Sequence, residues 1–130
     1  METHTIKLQL LSRGEDQVQS NRMPPVEINI DTLFPNQITE RIKASDNLVA
    51  LTPRLPGDPV KYMVIVARYV ADDALNNIVK GDPAAFSVRV NGDAADRLQE
   101  EGLLVWTGPV TALSVSTTYA TDIELQVFLG

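Results

Sequence analysis

Residues 110–130 read VTALSVSTTYATDIELQVFLG and carry the clearest pattern in the chain. Apolar and polar residues alternate through ALSVST and again through DIELQVFLG, with the polar run TTYAT between them. A period of two places every second side chain on the same side of an extended strand. This stretch therefore predicts two strands joined by a short polar turn.

The next strong element towards the N-terminus is residues 60–71, VKYMVIVARYVA, in which β-branched and aromatic residues occupy both sides of a strand. This composition is typical of a strand that is covered on both faces, so we expect a central strand here. The segment 38–43 also fits one turn of helix, and its short length favours a strand. Further strands are predicted at residues 5–11, 26–31, 85–91 and 103–107.

Two short helices are predicted between these strands. Residues 72–81, DDALNNIVKG, begin with two acidic residues and end in lysine and glycine, which suits a helix over 73–80. Residues 94–102, AADRLQEEG, follow Asp93 as an N-cap residue and end at Gly102.

About eight strands and two short helices predict a mainly β protein, a single-domain antiparallel β-sandwich of which the jelly roll is one form. The alternative is an α+β fold with one βαβ unit, because strand 60–71, helix 73–80 and strand 85–91 are consecutive. The sandwich is preferred because strands flank this region on both sides. The length fits one domain, 1–130, with a polar loop or arm at residues 12–25.

Composition excludes several classes of protein. The formal net charge is −6 and the basic residues are scattered, so we expect no nucleic-acid partner, which would need clustered Lys and Arg. The absence of cysteine excludes disulfides and thiolate zinc sites. The N-terminal METH lacks the basic start of a signal peptide, and no apolar run reaches the roughly 20 residues of a transmembrane helix. We therefore expect neither export by a cleaved signal peptide nor a membrane span.

Residue types used in catalysis are sparse. His4 is the only histidine, and we interpret it as a surface residue near a chain end. The pairs Asp72–Asp73 and Glu100–Glu101 resemble the carboxylate pairs of acid–base catalysis. Adjacent residues point in different directions, however, so helix capping and solvation explain these pairs better.

Oxygen ligands for calcium are available in a cluster formed by Asn91, Asp93, Asp96 and Glu100. Their spacing does not fit the calcium-loop motif, whereas Asn91 with the following glycine is a turn signal. We therefore predict no catalytic, cofactor-binding or metal-binding residues and no enzymatic activity. A carboxylate enzyme would need two of the acidic residues to converge within about 5–10 Å in a cleft.

The aromatic residues suggest one alternative function. Four of them fall in apolar strand runs and are expected in the core, namely Tyr62, Phe86, Trp106 and Phe128. Tyr69 and Tyr119 are the rings expected to be exposed. If they lay side by side in a groove, they would favour a β-sandwich module that binds carbohydrate or another small ligand.

The pattern of residues 112–130, with ALSVST, TTYAT and DIELQVFLG, resembles that of small β-sandwich proteins of bacteriophage particles, such as decoration, penton, spike and head-fibre proteins. The resemblance implies a non-enzymatic structural protein of the virion, made in the host cytoplasm and without a cofactor. The implied partners are further copies of the same chain and a larger coat protein, with residues 12–25 as a candidate contact arm.

Overall fold

The structure is a computed structural model, which describes residues 1–15, 19–21, 23–33, 35–44, 48–55, 60–117 and 121–130. Within these residues lie twelve strands and two 3-10 helices, and all strand pairs are antiparallel. The predicted mainly β class is confirmed. The strands are β1 (Glu2–Leu8), β2 (Leu11–Arg13), β3 (Gln19–Asn21), β4 (Val26–Thr32), β5 (Asn36–Ile42), β6 (Val49–Ala50), β7 (Val60–Tyr69), β8 (Phe86–Val90), β9 (Arg97–Gln99), β10 (Leu103–Val110), β11 (Leu113–Thr117) and β12 (Ile123–Leu129).

Contacts divide the chain into two compact units, Met1–Leu33 and Phe34–Gly130, and each is described separately. In the first unit β1 pairs with β4, and β2 pairs with β3. Strands β2 and β3 fall largely within the predicted loop or arm at 12–25, of which residues 16–18 and 22 lie outside the described residues.

The β1–β4 ribbon has one apolar and one polar side. Ile6 lies opposite Ile28 on the apolar side. On the polar side, the Thr3 hydroxyl donates a hydrogen bond to Asp31 Oδ1 at 2.7 Å. This division follows directly from the alternation in the two strands.

The second unit contains two four-stranded sheets. The order of the first, the β7 sheet, is β10-β7-β12-β5, and the order of the second, the β8 sheet, is β6-β11-β8-β9. The predicted central strand at 60–71 is confirmed, since β7 lies between β10 and β12. Strands β11 and β12, which the sequence predicts as neighbours across a turn, belong to different sheets and do not pair with each other.

The inner sides of the two sheets form one hydrophobic core. Ile65 and Leu125 of the β7 sheet belong to the same buried cluster as Phe86, Val88 and Val115 of the β8 sheet. All five are fully buried. Burying a side chain of this size contributes roughly 1.5–3 kcal/mol, so this core accounts for the packing of the two sheets as a sandwich.

One side of the sandwich is closed by a contact between edge strands. The Arg97 guanidinium of β9 lies over the Trp106 ring of β10, 5.4 Å from its centroid. The Trp106 Nε1 also donates to the Pro109 carbonyl at 3.3 Å. A cation–π contact here joins the two sheets where neither has a further strand.

Both predicted helices are wrong. In place of helix 73–80 there is a 3-10 helix of three residues, Ala74–Asn76, inside a turn that Asp73 and Ile78 close with two backbone hydrogen bonds of 2.8 and 2.9 Å. Asn77 then adopts a left-handed conformation with φ of 56°, which ends the helix. These two hydrogen bonds pair the backbone amides and carbonyls of Asp73 and Ile78, which a longer helix would have paired within itself.

In place of the second helix, residues 97–99 form edge strand β9, paired with β8. Asp93 is therefore not an N-cap but an ion-pair partner of Arg97, at 3.1 Å. The βαβ alternative is wrong as well, because β7 and β8 lie in different sheets. Among the described residues, no helix is long and apolar enough to cross a membrane.

Candidate functional site

The outer side of the β7 sheet is unusually apolar for a surface that faces away from the core. We call it the apolar face and define it by five side chains from three neighbouring strands: Val64, Val66, Leu103, Val105 and Phe128. Four of them are half-buried, and Leu103 is 51% exposed. None belongs to the buried core cluster.

Strand register arranges these side chains in two rows. Val105 pairs with Val64, which pairs with Phe128, so one row is apolar across three strands. In the next row Leu103 pairs with Val66, which pairs with Gln126. Neighbouring side chains on one face of a sheet touch, so the five form a continuous patch.

Tyr62 and Gly130 close one end of the apolar face. Tyr62 is 5% exposed, and the Gly130 carbonyl accepts hydrogen bonds from the amides of Lys61 at 2.6 Å and Tyr62 at 3.1 Å. A Cβ atom on Gly130 would lie 2.5 Å from Cε1 of the Tyr62 ring. The ring therefore packs on the glycine, and a larger residue at 130 would displace it.

The other end of the apolar face contains a small cleft of about 90 Å³. It is lined by Val66, Arg68, Glu124 and Gln126. Arg68 and Glu124 are paired across β7 and β12, and the Arg68 Nη1 donates to the Gly81 carbonyl at 3.0 Å. Val66 is the one apolar side chain of this cleft, and the stems of Arg68, Glu124 and Gln126 form the rest of its lining. An apolar side chain that enters the cleft would pack on Val66 and on these stems.

The outer side of the β8 sheet is polar. Its described strands present Ser87, Arg89, Ser114 and Ser116, together with two exposed apolar residues, Ala50 and Leu98. Arg89 makes an ion pair with Asp96 at 2.6 Å. Antiparallel sheets with one solvated face normally alternate in this way, so the β8 sheet follows the common pattern and the β7 sheet departs from it.

The carboxylates singled out in the sequence are held in turns and ion pairs. The Asp72 Oδ1 accepts a hydrogen bond from the Lys80 amide at 2.8 Å. The Asp73 Oδ2 accepts one from Asn76 at 2.7 Å and one from the Thr121 hydroxyl at 3.1 Å. These contacts serve the turn that replaces the predicted helix. Glu100 and Glu101 are exposed in the turn after β9.

Hydrogen bonds lower the pKa of two aspartates. The bond from Asn76 is the largest cause of the lowered pKa of Asp73, and the bond from the Ala44 amide is the largest cause for Asp122. Asp122 Oδ1 accepts the Ala44 amide at 2.9 Å and Asp122 Oδ2 pairs with Arg41 at 3.0 Å. Both carboxylates therefore accept hydrogen bonds from the loops beside them, and these bonds favour the charged form.

Three of the four residues considered as calcium ligands in the sequence are held in ion pairs and in a turn. Asp93 and Asp96 pair with arginines, and Asn91 adopts a positive φ of 57° and accepts a hydrogen bond from the Thr111 amide at 2.7 Å. In the described ranges, no three histidine, aspartate or glutamate side chains are grouped closely enough to hold a metal ion. His4 lies in β1, with Nε2 at 2.8 Å from Glu2.

The aromatic residues are only partly where the sequence predicts them. Tyr69 was predicted to be exposed, but it is 7% exposed within the core, and its hydroxyl accepts a hydrogen bond from the Ala85 amide. Tyr119 lies outside the described residues. Phe86 is in the core as predicted, whereas Phe128 points to the apolar face. Side chains alternate between the two sides of β12. Val127 and Leu129 take the inner positions, so Phe128 lies on the outer side.

Sequence reasoning missed the apolar face, although one signal for it was present. The apolar residues on both sides of segment 60–71 predict cover on both faces. The β8 sheet covers the inner side of β7. The outer side of β7 is only half-buried, and the neighbouring strand β10 adds the exposed Leu103 to it.

No family model, curated protein or solved structure matches this chain.

Proposed function

We propose that this chain is a non-enzymatic structural protein of a phage particle, which assembles with further copies of itself and with a larger coat protein. The observation that carries the proposal is the apolar face on the β7 sheet. Contiguous apolar surface on a folded protein, with polar residues around it, is characteristic of sites where proteins associate. The resemblance of residues 112–130 to small phage β-sandwich proteins supports the same function.

The size of the apolar face favours weak contacts that are repeated many times. The whole outer side of the β7 sheet, four strands wide and seven residues long, covers roughly 450 Å² per copy, and the apolar face takes up less than half of it. Two such outer sides reach only the low end of the area that specific interfaces bury. A protein that contacts several neighbours in an assembly can be held by such contacts, because each one raises the effective concentration for the next.

The described acidic residues support a structural function. Asp72 and Asp73 stabilise a turn, while Asp93 and Asp96 neutralise two arginines. Each of these carboxylates thus has a partner that explains its position in the fold. The negative net charge is consistent with contact to protein and with little attraction to a packaged genome.

Native mass spectrometry tests the proposal. The purified chain is measured over a concentration series from low to several hundred micromolar, in ammonium acetate at 0.15 M and at 1 M. We expect oligomers that increase with concentration and persist at high salt, because apolar contacts are not screened by ions. Negative-stain microscopy of the same samples checks for rings or sheets. A monomer under all of these conditions would contradict self-assembly.

A further inference from the structure

We propose that two copies of this chain pack through their apolar faces about a two-fold axis parallel to the strands, with Leu103 of each copy seated in the cleft of the other. The inference rests on the proposed function, since it names the surface and the geometry by which the chain would associate with itself.

The first argument is that a protruding side chain and a matching cleft lie on the same face. Leu103 is the most exposed member of the apolar face, at 51%. The cleft of about 90 Å³ lies between β7 and β12. This volume equals roughly three water molecules, which is enough for most of a leucine side chain.

The second argument is positional. Leu103 shares its row with Val66 and Gln126, and both of these line the cleft. The cleft is centred about 7 Å from β10, or one and a half strand spacings. A two-fold axis midway between these points, close to β7 and parallel to the strands, places each leucine at the Val66–Gln126 end of the other copy's cleft, so both contacts form together.

The same two-fold rotation also buries the other row of the apolar face, which contains Val105, Val64 and Phe128. It moves Val105 by the same distance and sets it against the junction of Val64 and Phe128 in the other copy. One axis therefore buries both rows. A partner with a different surface would need its own leucine and its own cleft, whereas a second copy provides both by symmetry.

The third argument is charge. The outer side of the β7 sheet carries Arg68 and Glu124, and Arg41, which pairs with Asp122 at 3.0 Å just before β12. It is thus close to neutral on a chain with a net charge of −6. Two acidic molecules repel each other least when they approach through such faces, and the opposite charges of Arg68 and Glu124 flank the seat of each leucine.

The chain offers a matched pair of leucines for the test. Leu98 is 52% exposed on edge strand β9 of the β8 sheet, and Leu103 is 51% exposed on edge strand β10 of the β7 sheet. We expect L103S to weaken dimerisation at least tenfold in sedimentation equilibrium, because it removes the apolar side chain from both cleft contacts without adding a charge that Arg68 could pair with. L98S should leave the dissociation constant within twofold of the wild type. Circular dichroism and thermal unfolding verify that both variants fold.

Cysteine cross-linking tests the geometry independently, since the sequence contains no cysteine. Sheets that pack face to face lie about 10 Å apart, which is too far for a disulfide, so a bismaleimide with a spacer of roughly 10–15 Å is used. Each variant carries a single cysteine, so no link can form within one copy. We expect Q126C, on the outer side of the β7 sheet, to give cross-linked dimers on a denaturing gel. The control L98C, on the other sheet, should stay monomeric.

The outcomes separate this inference from the proposed function. If the wild type self-associates but L103S behaves like L98S, or Q126C yields no cross-linked dimer, the chain assembles through another surface and the two-fold pairing is wrong. If the wild type is monomeric at every concentration, self-assembly itself fails. Loss of association in L103S alone, together with the cross-linked dimer, supports self-assembly through the apolar faces.

Discussion

The two outer sides of the sandwich are built by the same alternation of residues and yet differ in character. On β8 and β11 the outer positions are serine or arginine, as in Ser87, Arg89 and Ser114. At the centre of the β7 sheet five outer positions are valine, leucine or phenylalanine, with polar residues such as Gln126 beside them. Because both sheets share one core, contact with that core does not account for the difference, whereas association with another molecule would.

Leu98 and Leu103 show what this difference means for a single residue. Their exposed fractions are nearly equal, at 52% and 51%. Leu98 pairs with Ser87, whereas Leu103 pairs with Val66 and continues a patch across three strands. A lone exposed leucine is ordinary on a protein surface, and it is the neighbours of Leu103 that make it part of a candidate interface.

The largest effect on stability is expected for a leucine on the inner side of the β7 sheet, compared with a leucine on its outer side. Leu125 is fully buried in the core, and L125A should lower the free energy of unfolding by about 2–5 kcal/mol. L103A should change it by less than about 0.5 kcal/mol in the monomer. Urea unfolding, performed below the concentration of any association, measures both.

Equal losses of unfolding free energy for L125A and L103A would contradict this prediction, because they would show that the apolar face already contributes to the stability of the monomer. In that case the outer side of the β7 sheet would be a second core, and its composition would need no partner.

Much of this fold follows from local pattern. The alternation in DIELQVFLG predicts one buried side, and Ile123, Leu125, Val127 and Leu129 are indeed buried. The helices failed because local signals were outweighed by pairing: residues 97–99 have helical composition, but strand β8 has an open edge that they complete.

The candidate site was harder to predict from the sequence than the fold. Alternation states which side of its own strand a residue occupies, but it does not state which strand lies next to it. Val66, Leu103 and Phe128 become neighbours only through the order β10-β7-β12. For the same reason, residues 112–130 predicted two strands correctly and did not predict that they belong to opposite sheets.

An intermediate effect is expected at Gly102, which positions the strand that carries Leu103. Its φ is +67°, and an added Cβ would lie 2.7 Å from the Ala67 carbonyl oxygen and 2.8 Å from the Ala84 amide nitrogen. Its carbonyl accepts a hydrogen bond from the Ala67 amide at 2.9 Å. G102A should cost about 2 kcal/mol, from the unfavourable φ and the crowded backbone.

The matched control is Gly92, where φ is +75° but nothing lies within 4 Å of an added Cβ. G92A should therefore cost only the φ term, about 1 kcal/mol. Thermal unfolding measures both variants. If G102A also weakens dimerisation while G92A does not, the start of β10 matters for the apolar face; equal stability losses would instead mean that the close contacts at Gly102 relax without cost.

The smallest effect concerns two arginine–aspartate pairs, one beside each outer side. Arg41 pairs with Asp122 at 3.0 Å, and Arg89 pairs with Asp96 at 2.6 Å. Asp122 differs because it also accepts the Ala44 amide at 2.9 Å, and this bond is the largest cause of its lowered pKa. We therefore expect D122N to reduce stability at pH 7 more than D96N, whose exposed ion pair contributes little.

The lowered pKa of Asp122 determines the direction in which stability changes with pH. Because its folded pKa lies below the ordinary value of 3.8, its contribution is complete above that value and is lost as the pH falls through the folded pKa. Urea unfolding between pH 5 and pH 2.5 should show a shallower acid loss for D122N than for the wild type. R41A should retain most of the acid loss, because it leaves the Ala44 bond intact; parallel curves for D122N and the wild type would show that this carboxylate does not hold the edge strand β5 beside β12.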